Sequence, residues 1–72
     1  MKLFVFENVL IDYSPGMVLI AAKSLRTAVK YAKEKFAYSV SQEGAGWEKP
    51  TAVYNIDDSV EPGIKEYCYG GG

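Results

Sequence analysis

Both faces of the first strand are apolar, and that limits the chain more than any other feature. The segment KLFVFENVLIDY, residues 2–13, is rich in Phe, Val, Leu, Ile and Tyr, the composition of a strand. Strand alternation puts Leu3 and Val5 on one side and Phe4 and Phe6 on the other. A strand with two apolar faces belongs to a sheet buried on both sides. YSPGM follows, with Pro15 and Gly16 at the centre of a four-residue turn. Proline pre-sets φ at the first central position, and glycine supplies the positive φ that a type II turn needs at the second. MVLIAA then reads as a second strand, which makes a hairpin. Met17 to Ala22 is too short to pair with all of the first strand and matches only its last half. Lys2 to Glu7 therefore needs another partner, either the fourth strand or a second copy of the protein.

KSLRTAVKYAKEKFA is the clearest element. Ser24 is a good N-cap, because its hydroxyl accepts from a free backbone N–H of the first turn. Leu25, Ala28, Val29, Ala32 and Phe36 fall within about a 100° arc, the width of a helix face that packs on a sheet. Arg26, Lys30 and Lys33 form an outward stripe beside it. YSVSQEGAGWEKP is polar and glycine-containing and reads as a loop, although YSVS could add a short strand; loops of this length tend to be functional or mobile. TAVYNID is a third strand, DSVEPG a turn and IKEYCYG a fourth strand. The expected fold class is α+β: a β-β-α-β-β chain forming a four-stranded antiparallel sheet with one helix packed on one face. Residues 1–69 make a single domain, and residues 70–72 a flexible glycine tail. The second sheet face, apolar and without a helix, is expected to meet a second copy or another partner.

A domain of 72 residues buries only about 60% of its unfolded surface. Small domains compensate with disulfides, metals or oligomerisation. One cysteine and no histidine exclude an intrachain disulfide and a structural zinc site, which leaves tight packing or self-association. Ser-His-Asp and Cys-His arrangements cannot be built either. No dinucleotide fingerprint, phosphate loop or calcium loop is present. No enzyme, cofactor or metal is expected. The run Asp57, Asp58 and Glu61 reads as a solvated turn, with a weak divalent-cation site as the alternative. No signal peptide or membrane span is visible, and a free thiol suggests the cytoplasm.

Net charge is −1, but it is unevenly placed. Between Lys23 and Lys35 five basic residues face Glu34 alone, whereas the rest of the chain to its end is acidic. The stripe of Arg26, Lys30 and Lys33 reads either as a solvated helix face or as a site for an acidic protein surface or a phosphorylated small ligand. Tyr31 lies on the far side of the stripe, and the sequence pI is about 5.3, so nucleic acid is a poor fit. Trp47 reads either as a lid over one end of the core or as an anchor at a binding surface. Tyr13 precedes the Pro-Gly turn and should be partly exposed. Alternation places Ile64, Glu66 and Cys68 on one face of the last strand, with Lys65, Tyr67 and Tyr69 on the other. Tyr54 joins the two tyrosines if its strand is a neighbour. Such a row suits half-buried packing or an interface. Cys68, with Glu66 near and no histidine, reads as a small apolar filler.

The strand-to-helix junction AAKSLRTAVKYA is similar to that of small phage- or prophage-encoded accessory proteins, some of which block bacterial defence systems. The resemblance implies binding to a host protein or sequestration of a nucleotide signal, in the host cytoplasm, and assigns no residue a role. The expected function is that of a non-enzymatic binding or inhibitor protein, a homo-oligomer acting through a protein surface. Tyr13, Trp47, Tyr67 and Tyr69 are the expected contacts, and Arg26, Lys30 and Lys33 supply steering charge. The alternatives are a nucleotide-binding oligomer and a structural or assembly protein.

Overall fold

The computed structural model describes residues 1–71. Its elements are β1 (Lys2–Asp12), β2 (Ser14–Ala22), α1 (Leu25–Lys35), α2 (Ala37–Gln42), α3 (Gly44–Glu48), β3 (Ala52–Asn55) and β4 (Gly63–Cys68). The four strands form one sheet in the order β3-β1-β2-β4, with every neighbouring pair antiparallel. The helices pack on one face, so the expected α+β class holds.

The hairpin differs from the expected one. The chain reverses at Tyr13, φ +66°, and Pro15 and Gly16 lie within β2. Phe6 pairs with Val18, Val9 with Gly16 and Asp12 with Ser14. β1 thus spends three residues for every two of β2, twice over, which makes two bulges. The extra residues let the pairing run past the Pro-Gly step. Gly16 is needed for contact instead: a Cβ there would stand 2.3 Å from the Cys68 carbonyl oxygen. Leu10, in the second bulge, takes φ +52° and is buried beside Val9.

The same register corrects the pairing of β1. Met17–Ala22 faces the first half of β1, from Lys2↔Ala22 to Phe6↔Val18. On its other side, Lys2–Val5 pairs with β3, so neither the fourth strand nor a second copy is needed to complete it. β4 carries its own bulge, because Leu19 pairs with Glu66 but Ile20 with Ile64. Lys65 is the extra residue. Opposed residues share a face, so Ile64 and Tyr67 stand on the helix side with Ile20 and Val18, while Glu66 and Cys68 stand on the other. Plain alternation had separated Ile64 from Tyr67.

On the helix side, Phe4, Phe6, Val18, Ile20 and Ala22 meet Ala28, Ala32, Phe36 and Trp47 in the core. Ser24 caps α1 by accepting from the Thr27 N–H at 3.2 Å. Ala28 and Ala32 are fully buried, and their small side chains allow close approach of α1 to the sheet. Leu25 and Val29, at the margin of the same arc, are only partly covered. Residues 38–50, expected as a loop, instead form most of α2 and α3. Helices of five or six residues do not stand alone in water, so tertiary contacts hold these two. On the opposite sheet face Leu3, Val5, Met17 and Leu19 are half-buried and have no second layer over them. Gly70 and Gly71, expected to be part of a flexible tail, are hydrogen-bonded to the hairpin. The Gly70 N–H donates to Leu10 O at 3.0 Å, and Ser14 Oγ bonds both the Gly71 N–H and its carbonyl. The third glycine of that tail, Gly72, lies outside the described residues. Among the described residues, no helix is long and apolar enough to cross a membrane.

Candidate binding groove

α1 and the α2–α3 pair leave a groove of about 890 Å³ between them. Leu25 and Val29 of α1 and Val40 of α2 give it an apolar lining, and Trp47 of α3 closes its base. Arg26, Lys30 and Lys33 line the α1 side, and Glu48 the α3 side. The three cations are four and three residues apart, which places them on one stripe of the helix. None of them is in an ion pair; among the described residues the one ion pair joins the Met1 ammonium to Asp58.

A hydrogen-bonded clamp sets the far wall. Glu43, between α2 and α3, accepts from the Leu10 N–H at 2.8 Å and the Ile11 N–H at 2.9 Å. Those are backbone groups that the second bulge of β1 leaves without ladder partners. The Ser39 hydroxyl donates to the same carboxylate, and the Trp47 indole N–H donates to Ser39 Oγ at 3.2 Å. Gly46 seats α3 against β1, because a Cβ there would stand 2.2 Å from the Asn8 carbonyl oxygen. Held in this way, Trp47 packs on Phe6 at 5.0 Å and on Phe36 at 6.3 Å between ring centroids. It is 1% exposed. Trp47 is therefore a core residue beneath the groove, and the surface-anchor reading of it is corrected.

The remaining candidates are scattered. Tyr67 and Tyr69 meet Phe36 edge-on at 5.1 and 6.2 Å, at the β4 margin of the helix layer. Lys35 Nζ lies 5.0 Å from the Tyr67 ring centroid. Both tyrosines remain exposed. Tyr13 stands at the hairpin tip, 93% exposed. Tyr54 does not join the tyrosine pair: β3 is the opposite edge strand, and Tyr54 pairs with Leu3 on the uncovered face. Cys68 is exposed on that face as well. The reading of Cys68 as a small apolar filler is thereby corrected.

Asp57 and Asp58 of the acidic turn are already engaged within the chain. Asp57 accepts from the Ser59 N–H at 2.8 Å, and this bond holds its carboxyl below the ordinary 3.8. Asp58 accepts from the Met1 ammonium, which holds its carboxyl below 3.8 as well. Among the described residues, no three potential metal ligands converge.

The sequence reading missed Val40 and Glu43. A signal for Glu43 existed: Ser39, Glu43 and Trp47 recur every four residues, the helical spacing, inside a stretch assigned to loop. No protein-family model matches the chain, and neither the curated proteins nor the solved structures include a match.

Proposed function

We propose that this chain is a non-enzymatic binding protein that receives an acidic partner in the groove between α1 and α2–α3. One observation carries the reading. Three cations without ion-pair partners border a concave apolar surface, and they do so on a chain whose other exposed charges are largely acidic. Charged side chains normally spread over a solvated face; grouped beside an apolar hollow, they steer and orient an anionic partner. Tyr67 and Tyr69 lie outside this groove and serve as packing for Phe36 in this reading. The resemblance to phage accessory proteins suggests the setting, an inhibitor acting on a host defence protein.

Reversing the charge of the stripe tests the proposal. Arg26→Glu/Lys30→Glu should leave the circular dichroism spectrum unchanged and abolish capture of the partner that wild type retains. Equal capture by both proteins would refute the groove. A second reading has the groove hold a phosphorylated small molecule, such as a nucleotide. Its size favours this, since small-ligand sites run about 300–1,000 Å³. A nucleotide that raises the melting temperature of wild type but not of Arg26→Glu/Lys30→Glu would select this reading. The uncovered sheet face supports self-association as a further proposal. A sedimentation coefficient that stays monomeric across the accessible concentration range would refute it.

A further inference from the structure

We infer that the occupant of the groove is an amphipathic helix of another protein, lying along α1 with carboxylates spaced i, i+4, i+7 on the edge that faces it. This inference rests on the groove being the binding site. Arg26, Lys30 and Lys33 are displaced along the axis of α1 by about 6 Å and about 10.5 Å from the first to the second and third. A helix alongside repeats its own side chains at the same intervals, so three carboxylates meet three cations in one register. An extended peptide, at about 3.3 Å per residue, offers same-face groups at about 6.6 and 13.2 Å and falls out of step at the third. A phosphate group would need the cations to converge on a point, and a stripe along one helix does not.

Shape agrees with charge. The two walls are helices, and the hollow is lined by Leu25, Val29 and Val40 above Trp47. The cationic side of the groove runs about 10.5 Å from Arg26 to Lys33, the length of about two turns of a docked helix. Glu48 on the opposite rim sets the orientation around the helix axis: acidic side chains face α1 and a basic one faces α3. The protein cannot supply this occupant itself. α1 is basic, and α2, AYSVSQ, carries no charge. The acidic run of the chain lies in the turn after β3, not in a helix.

The test uses a defined probe, a hydrocarbon-stapled two- to three-turn helix. It carries Glu at i, i+4 and i+7, Lys on the opposite edge and Leu between them. A matched peptide has its charges inverted. Binding is read by anisotropy of the labelled peptide and by amide shifts mapped over residues 25–48. The acidic peptide should bind and shift α1, α2 and α3. The inverted peptide should bind about tenfold more weakly or worse. Lys30→Glu/Lys33→Glu should reverse that preference, because the repulsion then falls on the acidic peptide. Equal binding of both peptides, or no reversal, overturns the helix occupant. If neither peptide binds but pyrophosphate or ATP shifts the same amides, the helix occupant fails and the groove stands. If neither peptide nor phosphate shifts residues 25–48, both inferences fail.

Discussion

Removing the Glu43 carboxylate should destabilise the domain out of proportion to its position at a helix junction. Its two oxygens accept from the Leu10 and Ile11 N–H groups at 2.8 and 2.9 Å. The Leu10 site is partly buried, so in Glu43→Ala that N–H loses a charged acceptor without free access to water. Such a loss costs about 1.5–3 kcal/mol. The Ile11 site is exposed, and rehydration limits its share to about 0.5 kcal/mol. The total is about 2–3.5 kcal/mol, against about 4–11 kcal/mol for a whole domain of 72 residues. Glu43→Ala should therefore melt about 13–23 °C lower. Trp47, the single tryptophan and fully in the core, reports unfolding directly in a urea titration. Ser39→Ala should cost less, since the carboxylate keeps both backbone donors. A Glu43→Ala midpoint within error of wild type would refute the clamp, and with it the account of what fixes the groove's far wall. Exchange of the Leu10 amide provides a local check, because it should accelerate in Glu43→Ala by more than the global change predicts.

Tyr13→Gly should stabilise the protein by about 0.5–1 kcal/mol, since φ +66° is strained for tyrosine and its exposed ring forfeits no packing; an unchanged or lower melting temperature would count against a strained turn. Gly46→Ala should cost about 1–3 kcal/mol, because the added methyl meets the Asn8 backbone oxygen and α3 must lift from β1; equal urea midpoints would show that α3 does not lie so close. Asp57 and Asp58 both have carboxyls held below 3.8 in the folded state, so their bonds stabilise the protein above that pH and are lost as pH falls through the folded values. Asp57→Asn/Asp58→Asn should thus narrow the gap between the melting temperatures at pH 7 and pH 2, whereas an unchanged gap would mean that other carboxylates carry the acid limb.

What could be read from residue order is what depends on local periodicity. The helix at Leu25–Lys35 follows from one apolar arc and one capping serine, and its cationic stripe follows from the same spacing. Strand existence was equally plain in the runs of Val, Ile and Phe. Register was not, because each bulge inserts a residue by an agreement between two strands distant in sequence. Strand-poor residues such as Asn8 and Lys65 weaken a strand signal without saying that a bulge falls there. α2 and α3 escaped for a related reason. Their stability comes from Trp47 between Phe6 and Phe36 and from Glu43 on the β1 backbone, and a local reading of polar, glycine-containing sequence does not contain those contacts. Sorting the tyrosines needed the strand order: with β3 and β4 at opposite edges, Tyr54 cannot share a row with Tyr67 and Tyr69.

The two uncovered surfaces differ in what they can hold. Four strands at about 4.8 Å spacing and six residues at about 3.3 Å give the open sheet face roughly 380 Å² in projection. A standard interface removes about 800 Å² from each partner. Leu3, Val5, Met17 and Leu19 are already half-covered by their neighbours, which reduces the gain further. Apolar patches of about 300–600 Å² are ordinary on monomers. Packing face to face should therefore yield a weak, concentration-dependent dimer rather than an obligate one. The groove is different in kind. It is concave, so a partner docked there would bury area on two walls and a floor at once, and its unpaired cations would supply direction as well as attraction. A chain too small to present a large flat interface would reach specificity more readily through such a hollow, whose α2–α3 wall is fixed to β1 by the Glu43, Ser39 and Trp47 hydrogen bonds.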